Sequence, residues 1–194
     1  MSRRRIAFAS IAVVTVLCLV GVSVLAVAAG GSALAYEVNG TRVSQDDFDA
    51  QLHNISDEIA AAREKANQPE SENPPDGTIV SSTTAALLNI TILRALLRDA
   101  ADAKGVKVTN DDRTAGEQAA QQSVQSFSQA PLTYQKGLIE LFAYANALGL
   151  TDSDALNTFV AAQVKKADVY INPRYGTWSP RTGVCAPTGC AATG

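Results

Sequence analysis

The sequence predicts a mainly α-helical fold with a small β element, preceded by an N-terminal signal or transmembrane segment. Three observations carry this expectation. An uncharged run from Ile6 to Ala29 follows directly on Arg3, Arg4 and Arg5. Behind it, helical apolar periodicity recurs in five stretches, each with a recognisable start or stop, and short extended segments flank the set. With 194 residues the chain has room for one ordinary domain and an accessory segment, which excludes two full catalytic domains.

The leader combines a basic start, an apolar run and a small-residue exit, Ser32-Ala33-Leu34-Ala35. Ala33 and Ala35 stand at the −3 and −1 positions of a secretory cleavage site, which favours a cut before Tyr36. The run is also long enough to cross a bilayer, since about 20 apolar residues suffice. Both readings put the rest of the chain outside the cytoplasm, because the arginines precede the run and hold the N-terminus inside. Cys18 follows Leu17 within the run and lacks the small neighbour that lipid attachment needs. Of the 16 Lys and Arg, three lie in the leader, whereas none of the 19 Asp and Glu does. The exported part is therefore acidic and has no basic, aromatic-interleaved stripe for nucleic acid.

Tyr36 to Val43 reads as two short strands about Asn39-Gly40, a pair that tolerates positive φ. Ser44 with Asp47 is a capping-box arrangement, after which Phe48, Leu52, Ile55 and Ile59 line one helical face. That helix fades near Lys65, and Asn67 to Gly77 is too rich in Pro and acid to pack, so a mobile loop is expected. Thr83 to Lys104 forms the second helix. Ten of its thirteen residues from Ala85 to Leu97 are apolar and spread around the whole circumference, which belongs at the centre of a core. Gly105 supplies its stop. Thr109 with Asp112 caps a third helix, which places Gln118, Gln121, Gln122, Gln125 and Gln129 on one side and Gly116, Ala120, Val124 and Phe127 on the other. Pro131 opens a fourth helix that stops at Gly149, and Thr151 with Asp154 caps a fifth. Val169 and Ile171 alternate with Asp168 and Tyr170 in a short strand ended by Pro173. From Thr177 to Gly194 there is no periodicity.

This order of parts resembles a known family. Val38-Asn39-Gly40 before a Ser-capped helix, then an apolar helix closing on Lys104-Gly105-Val106 and Thr109-Asn110-Asp111-Asp112, is similar to the N-terminal chaperone domain of SurA and PrsA type extracytoplasmic foldases. The ending from Ala167 to Trp178 is similar to the strand that closes such domains. The resemblance spans residues 36 to 178. It implies a five-helix domain whose first and last strands pair, and a concave apolar surface that holds unfolded polypeptide. The family's full foldases also carry a parvulin prolyl isomerase domain with active-site histidines. This chain has no room for one, and its only histidine is His53, on the polar side of the first helix.

No catalytic set is written in the chain. Asp46, Asp47 and Asp49 sit at a helix N-terminus, where negative charge is favoured without any site. A nucleophile elbow, a phosphate loop and metal-ligand spacing are all missing, so neither enzyme activity nor cofactor nor metal is expected. Cys185 and Cys190 lie close enough to form a disulfide in an oxidising compartment, the alternative being two free thiols in a mobile tail.

The expected organisation is a signal peptide or anchor over 1–35, a SurA N-terminal-like helical domain over 36–178, and a flexible tail over 179–194. The expected function is an extracytoplasmic holdase that binds unfolded or secreted polypeptides, secreted or envelope-associated, and anchored by residues 6–29 if the leader is uncut. The thin face of Gly116, Ala120, Val124 and Phe127 is the expected contact surface, although Val124 and Phe127 also suit a core. The competing reading is a non-enzymatic envelope module that binds one folded partner through exposed aromatics, chiefly Tyr170, Tyr175 and Trp178.

Overall fold

The computed structural model describes residues 33–65, 81–124 and 127–185. Residues 1–32, which hold most of the expected leader, the expected loop over Asn67 to Gly77, and Cys190 lie outside the described residues.

Asn39 and Gly40 take φ values of 48° and 84°, as a tight hairpin requires. They join β1 (Leu34–Val38) to β2 (Thr41–Ser44) with Val38 opposite Thr41 and Tyr36 opposite Val43. On its other edge β1 pairs antiparallel with β3 (Val169–Ile171), with Tyr36 opposite Ile171, so the first and last of these strands close the fold with order β2-β1-β3. The pairing extends past the strand ends. Asn39 donates its backbone N–H to the Asp168 carbonyl at 2.8 Å, and Asn172 donates to the Ala35 carbonyl at 2.8 Å.

Helix α1 (Gln45–Lys65) follows β2 without a loop. Ser44 Oγ accepts the Asp47 N–H at 3.1 Å and donates to the Asp47 carboxylate at 2.6 Å, which is the expected cap. Phe48 and Ile55 are fully buried. Phe48 stacks edge-on between Tyr36 and Tyr175, with centroids 5.4 and 4.9 Å away, and so ties β1 and the turn after β3 to the start of α1.

Helix α2 (Ser81–Ala103) is central, as its all-round apolarity predicts: Leu87, Leu88 and Ile92 have no exposed surface. Gly105 ends it at φ 67°. Helix α3 (Asn110–Ser123) carries the full capping box between Thr109 and Asp112. It stops before the expected end. Ser123 Oγ donates to the Ala120 carbonyl at 3.0 Å, Val124 turns extended, and Phe127–Gln129 forms a separate 3-10 turn that drops Phe127 into the core. Helix α4 (Leu132–Ala147) starts at Pro131, which gives no side-chain cap. Glu58 of α1 acts instead, accepting from the Thr133 N–H at 3.2 Å and the Thr133 hydroxyl at 2.6 Å. Helix α5 (Ser153–Val164) is capped by Asp152, one residue after the expected Thr151, through the Ala155 N–H at 2.7 Å.

The end of the described chain differs from the unpatterned tail read from sequence. β4 (Thr177–Ser179) and β5 (Gly183–Cys185) form a hairpin, so residues 179–185 are part of the fold. Its anchor is Asn89, the amide within the most apolar helix. Asn89 Oδ1 accepts from the Val184 N–H at 2.7 Å and Nδ2 donates to the Val184 carbonyl at 3.1 Å, so one side chain stands in for a neighbouring strand. Cys185 beside it is buried, 7% exposed.

Two outcomes follow for stability. Asn89→Ala leaves both backbone groups of Val184 without a partner and should cost about 2 kcal/mol, read by denaturant unfolding; an unchanged midpoint would deny the anchor. A chain starting at Tyr36 loses the bonds that Ala33, Leu34 and Ala35 carbonyls accept from Gln45 and Asn172. Compared with one starting at Ala33, it should melt lower by on the order of 10 °C.

Candidate functional site

Strand alternation puts Tyr36 and Val38 of β1 on one face of the sheet, with Thr41 and Val43 of β2 beside them. Helical spacing puts Thr91, Arg94, Ala95 and Arg98 on one face of α2, and Glu140 and Tyr144 one turn apart on α4. These three surfaces enclose a cleft of about 270 Å³. Its lining brings two guanidinium groups, one carboxylate, two phenols and two hydroxyls against an apolar wall.

Arg94 decides its electrostatics. Its side chain is only 11% exposed, and it bonds Glu140 across the α2–α4 gap at 2.8 Å, with Glu140 47% exposed. A charge that deep needs a partner, and the pair pins the two helices on either side of the cleft. Arg98 donates to Asp99 at 3.3 Å, and Asp99 also accepts from Asn39 of the β1–β2 turn at 2.8 Å, so the hairpin is tied to α2 at the cleft rim. Burial pushes the Tyr36 hydroxyl up to about 12, against a smaller opposing pull from Arg94. The Tyr144 hydroxyl is raised too, by burial and then by the Glu140 carboxylate.

The residues expected to contact a client lie elsewhere. Gly116 and Ala120 are buried where α3 lies along α4: a Cβ at Gly116 would stand 2.6 Å from the Ile139 carbonyl oxygen and 2.7 Å from the Ala143 nitrogen. Their smallness lets two helices approach and leaves no groove between them. Val124 is half-buried, and Phe127 is 6% exposed, in the core. Ala35 is wholly buried in β1 and Ala33 directly precedes the strand, so the expected cleavage bond, between Ala35 and Tyr36, lies inside the central strand. The thiol pairing of Cys185 concerns Cys190, outside the described residues. His53 is exposed and 3.9 Å from Asp57. Asp49 accepts from the Tyr175 hydroxyl at 2.8 Å and pairs with Arg174 at 3.2 Å, a structural use of that acidic start. Tyr175, counted among exposed aromatics from sequence, is buried; Trp178 is half-buried and Tyr170 is exposed. Among the described residues no group of His, Cys, Asp or Glu side chains is placed to hold a metal ion.

The sequence reading missed the cleft because its walls come from three separated segments. One signal was present: Arg94 is the lone charge among the thirteen residues from Ala85 to Leu97.

The model of the SurA-like N-terminal domain family matches residues 2–138. The chain belongs to this family. The match takes in the first hairpin, α1 to α3 and the start of α4. No curated protein and no solved structure matches. SurA-like domains belong to a chaperone-type family, are typically extracytoplasmic and generally bind polypeptides. In this SurA-like domain, no helix among the described residues is long and apolar enough to cross a membrane.

Tyr36 and Tyr175 give the domain a defined alkaline response. Burial, joined at Tyr175 by the bond to Asp49, raises both hydroxyls to about 12. The folded state thus favours the neutral phenol: its stabilisation is full below the unfolded value of 10.0 and is lost as pH rises toward about 12. Melting temperature should fall across that window, and fall less steeply in Tyr175→Phe. Equal slopes in the two proteins would contradict the assignment.

Proposed function

We propose that this SurA-like domain holds unfolded or secreted polypeptides on the extracytoplasmic side of the membrane, without prolyl isomerase activity. Family membership over residues 2–138 is the observation that carries the reading. The cleft between the sheet and helices α2 and α4 supports it by offering a receptive surface: an apolar floor of Val38, Val43 and Ala95 beside polar groups suited to a peptide backbone. The burial of Ala35 favours a chain that stays joined, through β1, to the uncharged run over 6–29.

A non-catalytic role fits the absence of a catalytic set in the sequence, where the one histidine stands on a solvated helix face. The competing reading, a module for one folded envelope partner, relied on an aromatic patch. With Tyr175 buried, Tyr170 is the exposed large aromatic among the described residues, at 46%.

The full chain in lipid nanodiscs should suppress aggregation of several unrelated unfolded proteins at near-stoichiometric ratio, without ATP, while isomerisation of a proline peptide stays at background. Light scattering that rises as in empty nanodiscs for every client would overturn the holdase reading. Catalysed isomerisation would overturn its non-enzymatic part.

A further inference from the structure

We propose that the cleft is a carboxylate-binding pocket, in which Arg94, Arg98, Tyr36 and Thr91 take a monoanionic group carried on a short apolar segment. The inference deepens the polypeptide-binding reading and rests on it for the choice of peptides as ligands.

The balance of donors and acceptors points to an anion. Tyr36 is 3% exposed and Thr91 8% exposed, yet among the described residues neither hydroxyl has a hydrogen-bond partner. No buried side-chain nitrogen or oxygen sealed from solvent lacks a partner, so these hydroxyls meet solvent through the cleft that they line. Arg94 spends one of its guanidinium nitrogens on Glu140, and Arg98 one on Asp99. A guanidinium has five N–H donors, so most of this capacity is unspent. Against it the cleft lining offers one carboxylate, Glu140, already engaged.

Charge and size narrow the ligand. Two arginines and one glutamate line the cleft, and Asp99, paired with Arg98 at the rim, brings these four side chains to neutrality; a carboxylate is then met by the unspent N–H donors, whereas a dianionic phosphate would need an excess of positive charge. Val38, Val43 and Ala95 supply the apolar wall that a carboxylate on an aliphatic segment needs. At about 270 Å³ the space falls just below the roughly 300–1,000 Å³ of ligand pockets and suits a short end of about two small residues. The raised Tyr36 hydroxyl remains a donor at any physiological pH.

A carboxylate can come from a polypeptide's C-terminus, from an acidic side chain or from a small free acid, and competition separates these sources. A fluorescein-labelled acetyl-Ala-Ala-Val-Ala free acid is bound to the full chain in nanodiscs and followed by polarisation. Unlabelled competitors are the same peptide as acid, the same peptide amidated, an amidated peptide with Glu in place of Val, and butyrate. The acid should compete at least tenfold better than the amide. Displacement by the Glu peptide assigns acidic side chains, by the free acid alone a C-terminus, and by butyrate at equal strength a small acid. Tyr36→Phe and Arg98→Gln should each weaken binding of the acid about tenfold, whereas Tyr36→Phe, which removes a hydroxyl without a protein partner, should keep the melting temperature. Equal competition by acid and amide, or binding unchanged in both variants, overturns the proposal. Aggregation suppression measured on the same preparations separates the two readings: suppression without carboxylate preference sinks the pocket alone, and acid-selective binding without suppression sinks the holdase alone.

Discussion

Strand β1 is hydrogen-bonded on both edges and carries the buried side chains Ala35, Tyr36 and Val38, and most of the fold depends on that double pairing. Its partner β2 is local, fixed by the Asn39-Gly40 turn, but β3 arrives after all five helices. Closing so long a loop is entropically costly, and the return is a sheet whose one face receives Phe48 and, through it, Tyr175. Without β3 on its edge, β1 would be half of an isolated hairpin, which has marginal stability in water. The same strand lines the cleft, so the element that closes the fold also places Tyr36 in its wall.

Helix α2 is the second constraint, and it handles polarity in an unusual way for a helix so apolar. Three polar side chains interrupt its apolar stretch from Ala85 to Leu97, and each has a distinct use. Asn89 completes the β4–β5 hairpin, Arg94 bridges to α4, and Thr91 faces the cleft. Burying an amide or a guanidinium is costly unless it is paired, so these positions fix which elements may lie against which face of the helix. An apolar helix alone would allow its neighbours to slide; Asn89 and Arg94 give register.

Local features were legible in the sequence because their causes are local. The Asn39-Gly40 turn, the caps at Ser44 and Thr109, and the stops at Gly105 and Gly149 need only a few neighbouring residues. Helix α3 was read too long because its glutamine spacing continues past Ser123, while the burial of Phe127, a tertiary demand, breaks it. The hairpin over 177–185 was invisible, since its stabilising partner is Asn89, far away in the chain. Gly116 and Ala120 were ambiguous for a physical reason: small residues in a helix suit both an open groove and a close helix contact, and only the position of α4 decides. The cleft needed β1, β2, α2 and α4 to be assembled before its lining had any common pattern.

Membership of the SurA-like family gives the domain its chaperone-type setting, and the receptive surface we propose lies at the sheet rather than along α3. Hydrogen exchange of the full chain in nanodiscs, with and without an unfolded client, tests that location most directly. Slowed exchange is expected at residues 36–43 and 91–98, on two of the three walls of the cleft, with α3 unchanged. Slowing confined to residues 110–124, along the α3 face, would contradict it.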